Sequence, residues 1–155
     1  MKEVFYLGNK DFLELPKTAF FSSRNINPLS LIRCYDWATE QRKAGRCIIS
    51  GFHSTVEKDV LHFLMKGKQP VILVLGRSLY KHIPEEFASA IETGRLLIVS
   101  PVSQKLPRQS IESCEVRNKY IIEHADEIVF SSLNENSNLY KLYLAIKDSK
   151  KVTLI

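Results

Sequence analysis

Short apolar runs alternate with longer amphipathic stretches along this chain. The runs are rich in Val, Ile, Leu and Phe and almost uninterrupted, which is typical of strands covered on both faces of a parallel sheet. They predict strands at residues 18–22, 47–50, 71–75, 96–100, 127–131 and 152–155. A further apolar run at 4–7 is expected to add a strand or arm at one edge of the sheet.

The stretches between the runs carry apolar residues at spacings of three and four, which predicts helices. The expected helices cover residues 30–44, 54–66, 84–93, 113–125 and 136–147. Gly45 follows the first of them, where a left-handed C-cap is expected. Pro84 opens the third and is followed by Glu85 and Glu86, in agreement with the preferences of a helix N-terminus.

Strands that alternate with helices form βαβ units around a parallel sheet. We therefore expect an α/β fold in three αβα layers, with a doubly wound, mostly parallel sheet of about six or seven strands. Residues 1–155 are interpreted as one domain, in which 1–17 form the edge strand or arm and 18–155 the βα core.

The composition fits this interpretation. A chain of 155 residues with 45% hydrophobic content can bury one core. No apolar run reaches the roughly 18 residues of a membrane span, so we expect a cytoplasmic protein without membrane contact. Three separated cysteines in no CxxC spacing indicate reduced thiols and no zinc site. The sequence points to no cofactor.

Ligands of open parallel sheets bind at the carboxyl ends of the strands, so we expect the site in five loops. These loops are residues 22–28, 50–55, 76–84, 100–113 and 131–138. Four of the five preceding strands end in serine, and the loops are rich in Ser, Asn and Arg, which can contact a phosphate or a nucleobase. Ser and Asn are also common turn and cap residues, which is the structural alternative.

Individual residues leave similar alternatives open. Arg24 is either a phosphate ligand or a surface arginine, and Ser50-Gly51 either admits a phosphate or forms an ordinary turn. Arg117-Asn118 either binds a ligand or ties its loop to the sheet. His53 has no Cys or carboxylate at metal-ligand spacing, so a loop or cap role is favoured over metal binding.

Motifs of several enzyme classes are missing from the sequence. It contains no GxSxG, GxGxxG or GxxxxGK[ST], which argues against a serine hydrolase, a typical dinucleotide site and a P-loop enzyme. Glu57 and Asp59 have no second carboxylate placed by the sequence as a partner. Acid–base catalysis by paired carboxylates is therefore unsupported.

Five segments together resemble one family in order and spacing. They are VFYLGNKDFLELPKTAFFSSR (4–24), IISGFHSTVEKDV (48–60), VILVLGRSLYKHIPEE (71–86), CEVRNKYII (114–122) and SSLNENSNLYKLYLAI (131–146). They are similar to segments of the DNA-processing protein A (DprA, or Smf) family of the SLOG superfamily. Ser22, Ser54 and Ser78 stand where that family has glycine, and residues 136–138 replace its Ser-Gly-Ser turn.

The resemblance implies a Rossmann-like fold and a module that binds single-stranded DNA or a nucleotide without covalent chemistry. It also implies a recombinase partner, a homodimer, and a setting in DNA processing, recombination or natural transformation. The implied pocket includes Arg24, Ser50, Gly51, Arg117 and Asn118, with Lys105, Arg108 and Lys119 as electrostatic helpers. The loops add Ser23, Phe52, His53, Gly76, Arg77 and Ser137 as expected ligand-binding residues.

Phe52 and Tyr80 are candidate stacking platforms, with packing under their loops as the alternative. The lost glycines leave open a sensor of a nucleotide-derived signal. A nucleotide phosphoribohydrolase-like enzyme is less favoured because 131–138 lacks the glycine-rich motif of such enzymes. Taken with the helix starts that follow them, as residues 22–30, 50–58, 76–84, 100–119 and 131–138, the loop segments carry +4 of the net charge of +5, which indicates a basic ligand edge.

Overall fold

The computed structural model describes residues 3–23 and 27–155. In this part of the chain, seven strands form one sheet in the order β1-β5-β4-β3-β2-β6-β7. The strands are β1 (Phe5–Gly8), β2 (Lys17–Ser22), β3 (Cys47–Ser50), β4 (Val71–Val74), β5 (Leu96–Ser100), β6 (Glu127–Ser131) and β7 (Lys151–Leu154). Strand β1 pairs with β5 in antiparallel orientation, and the other neighbours are parallel.

Five α-helices connect the parallel strands. They are α1 (Pro28–Ala44), α2 (Thr55–Met65), α3 (Glu85–Glu92), α4 (Ile111–His124) and α5 (Asn138–Ile146). None of them is long and apolar enough, within the described residues, to cross a membrane. A 3-10 helix at Lys10–Glu14, which the sequence pattern does not predict, connects β1 to β2.

The helices cover both faces of the sheet and create two cores. On one face, α1, α2 and α3 pack on side chains such as Phe20 and Ile48. On the other face, α4 and α5 pack on side chains such as Ile49 and Phe130. The expected three-layer α/β fold is confirmed, and the apolar strands are buried on both sides as their sequences require.

The element ends lie within two residues of those that the sequence pattern predicts. The bounds of β3, β5 and β6 are as predicted, and Gly45 adopts the expected left-handed conformation after α1, with φ of 71°. The remaining elements differ by a few residues at their ends. Pro84 is the N-cap of α3 rather than a residue of its first turn, so α3 begins at Glu85.

The direction of the chain across the sheet reverses at β2. From β2, the strands β3, β4 and β5 follow to one side, and β6 and β7 lie on the other. The two crossover connections that flank this point leave the sheet on opposite faces, which opens a crevice at the carboxyl ends of β2 and β6. Parallel sheets of this kind bind their ligands in such a crevice.

Candidate functional site

Two clefts lie side by side at the carboxyl edge of the sheet. The switch-point cleft, about 690 Å³, lies beyond the ends of β2 and β6 and is lined by residues that include Ser23, Asn118 and Asn134. The β4 cleft, about 580 Å³, lies beyond the ends of β3 and β4 and is lined by residues that include Gly51 and Arg77. Both fall within the roughly 300–1,000 Å³ of small-ligand sites.

Three helices begin at the switch-point cleft. Ser54, Ser110 and Ser137 are the N-caps of α2, α4 and α5, and all three residues line the cleft. Each hydroxyl accepts the backbone N–H three residues further along the chain. Because a helix N-terminus carries a partial positive charge, the three ends together favour an anion in this cleft.

Arg117 projects from α4 between the two clefts and lines both of them. It is only 9% exposed. Its Nε donates to Oδ1 of Asn118 at 3.1 Å and its Nη1 donates to Oε1 of Gln109 at 3.4 Å. It makes no ion pair with any described residue. Two hydrogen bonds therefore hold the Arg117 guanidinium at the site, and its other N–H groups can donate to an anionic ligand.

Glu57 fastens the β3–α2 loop to the end of β2. Its Oε2 accepts the backbone N–H of Ser22 at 3.0 Å, and its Oε1 accepts those of His53 at 2.9 Å and Ser54 at 3.2 Å. Burial raises the pKa of Glu57 above its ordinary value, whereas the three N–H groups and the nearby Arg117 act to lower it. The Glu57 carboxylate therefore holds the loop in place through its three hydrogen bonds.

The serines that end the strands lie inside the protein. They are Ser22, Ser50, Ser100 and Ser131, and each is at most 4% exposed. Ser50 Oγ donates to the carbonyl of Phe20 at 2.8 Å, and Ser100 Oγ donates to the carbonyl of Arg77 at 2.6 Å. These hydroxyl groups tie strands and loops together, which is the structural alternative raised by their sequence.

The β4 cleft combines an apolar floor with a cationic rim. Its apolar side chains include Leu61, Met65, Leu73 and Phe87, and its cations are Lys58, Arg77, Arg108 and Arg117. Glu86 is the acidic residue among its lining residues. Arg77 lies with its guanidinium carbon 4.9 Å from the ring centroid of Tyr80, in a cation–π contact. Such a lining suits a flat apolar group that carries negative charge.

A bridge of side chains separates the two clefts. Gln109 Nε2 lies 2.9 and 2.8 Å from the two ring nitrogens of His53, and its Oε1 accepts from Arg117. His53, Gln109 and Arg117 are the residues shared by the two linings. The bridge thus crosses from the β3–α2 loop to the segment before α4.

The sequence profile of the DNA recombination-mediator protein A family matches residues 2–155. The chain belongs to this family. Membership associates it with DNA processing in general and confirms the family resemblance of its loop segments.

Solved structures of DNA processing protein A have the same fold. The protein from Helicobacter pylori, described with its single-stranded DNA binding mode, is 22% identical, with a TM-score of 0.77 over 97% of this chain and 70% of that one. The Streptococcus pneumoniae protein is 14% identical, with a TM-score of 0.56 over 97% of this chain and 62% of that one. This chain thus spans less than two thirds of the latter.

The fold extends beyond the DNA recombination-mediator protein A family. The molybdenum cofactor binding protein of Rippkaea orientalis is 16% identical, with a TM-score of 0.61 over 90% of this chain and 75% of that one. Among curated proteins, none matches the sequence significantly. These likenesses establish the architecture of the chain. They do not identify its ligand.

The structure brings most of the expected family site residues to the clefts. Those that line at least one cleft are Ser23, Gly51, Phe52, His53, Gly76, Arg77, Arg108, Arg117, Asn118 and Ser137. Ser50, Lys105 and Lys119 line neither, and Lys119 lies 4.0 Å from Glu123 in an exposed ion pair. Arg24 lies outside the described residues.

Phe52 packs in the core below its loop, as the structural alternative has it. It is 4% exposed and has a positive φ of 43°, which turns its side chain under the β3–α2 loop. Tyr80 remains partly accessible in the β4 cleft, where burial raises its pKa. Of the two candidate aromatic platforms, only Tyr80 keeps an accessible ring.

Sequence reasoning misses three residues of this site. Gln109 forms the bridge, and Asn134 and Cys114 line the switch-point cleft. All three lie in or next to the expected loops, but the contacts that define their roles join distant parts of the chain. The contact between Gln109 and His53, for example, spans 56 residues. No local pattern reports such a pairing.

The described residues contain no cluster of three or more His, Cys, Asp or Glu side chains that could hold a metal ion. The hydroxyls, amides, guanidinium and helix N-termini that converge on the switch-point cleft bind and orient anions and polar edges. Glu57 and Glu115 also line this cleft, and the Glu57 carboxylate is held by three backbone N–H groups.

Proposed function

We propose that this chain binds single-stranded DNA, or a nucleotide with its phosphate, at the carboxyl edge of the sheet without turning it over. The observation that carries this proposal is Arg117 in the switch-point cleft. It forms no salt bridge with a described residue, although Glu57 is its nearby acidic neighbour, and it stands at a cleft where α2, α4 and α5 begin. Phosphate oxygens match both features.

Family membership supports DNA as the source of the phosphates. The H. pylori relative is described as a single-stranded DNA binding protein, and this chain shares its fold over nearly its whole length. The β4 cleft adds Arg77, Arg108 and the accessible Tyr80 beside the first cleft. A positive groove with an aromatic surface is what single-strand binding without sequence preference requires.

A binding role agrees better with the site than catalysis. Glu57, the buried carboxyl group at the cleft, is occupied by three backbone N–H groups. The strand-end serines are buried and hydrogen-bonded, so they are not presented to a ligand as nucleophiles. The accessible cations and helix N-termini of the site are groups that bind and orient anions.

Fluorescence anisotropy with labelled oligothymidylates of increasing length, at low and moderate salt, tests the proposal. We expect binding whose logarithm falls linearly with the logarithm of salt concentration, with a slope of about −0.7 per phosphate neutralised. Arg117→Ala should weaken binding about tenfold or more, since charge-assisted hydrogen bonds are lost.

Arg46→Ala is the matched control because Arg46 lies at the opposite, amino edge of the sheet and lines neither cleft. Circular dichroism and thermal unfolding verify that both variants are folded. Absence of oligonucleotide binding at low salt, or equal loss in both variants, contradicts the proposal. Saturable binding of one mononucleotide with no dependence on oligonucleotide length would favour a nucleotide sensor instead.

Two further proposals rest on family resemblance alone: a homodimer and a recombinase partner. Light scattering after size exclusion tests the first, with a mass of twice 17.8 kDa expected. Co-elution with a purified bacterial recombinase, with and without single-stranded DNA, tests the second.

A further inference from the structure

The wall between the two clefts consists of accessible side chains. His53 is exposed and Gln109 is partly exposed. The Gln109 amide donates one hydrogen bond, at the surface, to whichever His53 ring nitrogen is unprotonated. The contact from Arg117 Nη1 to Gln109 Oε1 is long, at 3.4 Å. Hydrogen bonds at the surface exchange readily with water, so rotation of the Gln109 side chain opens the wall at little net cost.

Beyond this wall, the β4 cleft is suited to a continuation of the same ligand. It carries the exposed cations Lys58 and Arg108 and the partly exposed Arg77, and none of them forms an ion pair with a described residue. Its floor is apolar, and the ring of Tyr80 lies at its side. Unpaired cations above an apolar floor match a phosphate-linked base.

The two clefts have the dimensions of two subsites. Each has a volume of about 580–690 Å³, and they share Arg117 at the wall. A ligand confined to one cleft leaves the wall closed. Gln109 lines both clefts and lies at their boundary, so a strand that spans both passes beside it.

We propose that the two clefts hold successive parts of one nucleic-acid strand and that Gln109 is the gate between them. This inference rests on the proposed function and adds to it a residue that determines the length of the bound strand. In the closed state, Gln109 spans His53 and Arg117. In the open state, the strand crosses the wall and its phosphates reach Arg108 and Arg77.

If Gln109 is a gate, the effect of Gln109→Ala on affinity depends on the length of the oligonucleotide. If the open state has a population of about a tenth, a strand that needs it binds about tenfold more weakly than it would to an open protein. Removing the side chain should therefore tighten binding of a long oligothymidylate about tenfold. Binding of thymidine monophosphate or dithymidylate, which fit one cleft, should stay within twofold.

Arg108→Ala and Lys105→Ala form the matched pair for the second subsite. Both residues are exposed cations of the same loop, but Arg108 lines the β4 cleft whereas Lys105 lines neither cleft. Arg108→Ala should weaken the long oligonucleotide several-fold and should weaken the short ligands by a smaller factor. Lys105→Ala should change both by less than twofold.

The experiment is a titration of the wild type and the three variants with the short and long ligands, followed by stopped-flow association rates. For the long oligonucleotide, Gln109→Ala should raise the association rate. Weaker or unchanged binding of that oligonucleotide to Gln109→Ala overturns the gate, even where the wild type binds DNA. If the wild type binds neither short nor long ligands, the proposed function fails, and the gate fails with it.

Discussion

Nε of Arg117 lies 2.8 Å from the position that a Cβ on Gly51 would occupy. The arginine side chain thus lies against the backbone at the end of β3, in space that only glycine leaves free. The sequence leaves open whether Gly51 admits a phosphate close to the backbone or forms an ordinary turn. In the structure, the group that approaches this glycine is a side chain of the protein, which is thereby placed between the two clefts.

Gly51→Ala should displace Arg117 with little loss of stability. The new Cβ would meet atoms of a flexible side chain rather than backbone, so the side chain can move away. We expect the free energy of unfolding to change by less than about 1 kcal/mol and oligonucleotide affinity to fall several-fold. Urea denaturation and anisotropy measure the two effects.

Gly76→Ala is the control for this variant. Its Cβ would lie 3.4 Å from the Gln109 side chain, an ordinary contact. It should leave Arg117 in place and retain most of the affinity. A stable Gly51→Ala protein with full affinity would show that the position of Arg117 does not matter for binding.

Glu57→Gln should destabilise the protein by about 1–3 kcal/mol. The amide that replaces one carboxylate oxygen would face a backbone N–H donor, either that of Ser22 or those of His53 and Ser54. Urea denaturation at neutral pH measures the loss. Glu40→Gln, at an exposed position of α1, is the control and should stay within about 0.5 kcal/mol. Equal stability of the two variants would mean that the Glu57 carboxylate does not hold the loop.

The three thiols should differ in reactivity. Burial raises the pKa of Cys34 and raises that of Cys47 to about 12, so neither forms a thiolate near neutral pH. Cys114 is partly exposed in the switch-point cleft. Mass spectrometry after iodoacetamide treatment should find the label on Cys114 alone, and a saturating oligonucleotide should slow its labelling. Labelling that is indifferent to the oligonucleotide would argue against occupancy of this cleft.

The contact between Tyr35 of α1 and Asp59 of α2 should make the stability of the protein depend on pH in the alkaline range. Tyr35 Oη donates to Oδ2 of Asp59 at 2.6 Å, and this hydrogen bond raises the pKa of Tyr35 from 10 to about 12. A tyrosine whose pKa is raised by folding contributes stability that is complete below the unfolded pKa. That contribution is lost as the pH rises through the folded pKa.

Tyr35→Phe measures this contribution directly. The variant should be less stable than the wild type by about 1 kcal/mol at pH 8, and the difference should shrink above pH 10 and vanish beyond about 12. Urea denaturation of both proteins is compared at each pH. The difference in their free energies of unfolding then excludes the contribution of other titrating groups. A difference that stays constant with pH would show that the lost hydrogen bond is not the cause.

The periodicity of the sequence predicts the sheet well because burial on both faces leaves a local signature. The uninterrupted apolar runs of β3, β5 and β6 specify their bounds without reference to any neighbour. Helix α5 is a weaker case, since its described residues include none that is buried. Its predicted range, 136–147, is longer than the observed Asn138–Ile146.

The site is harder to predict because its contacts are made between loops. The sequence shows that Ser50 ends a strand. It does not show that the Ser50 hydroxyl points inward to the carbonyl of Phe20, because this contact depends on the register of β2 and β3. The same holds for Gln109, whose partners lie in a different loop and on α4. Sequence analysis finds the correct loops because topology brings them together, whereas the direction of each side chain comes from packing.

The reversal of strand order at β2 couples the site to β6, a strand that lies far from β2 along the chain. Strands β2 to β5 can pair in order along the chain, but the switch-point cleft exists only when β6 docks on β2. At the start of that pairing, the backbone N–H of Lys17 donates to the carboxylate of Asp126 at 2.8 Å, across 109 residues. Closing so long a loop is slow compared with local pairing.

We infer that a ligand in this cleft binds only molecules in which β6 has joined the sheet. By linkage it therefore stabilises that one docking step. Amide hydrogen exchange should then slow most in β6 and α5 when an oligonucleotide is added, and least in β4. A bound strand would thus stabilise the complete sheet by favouring the state in which β6 and α5 are docked against β2.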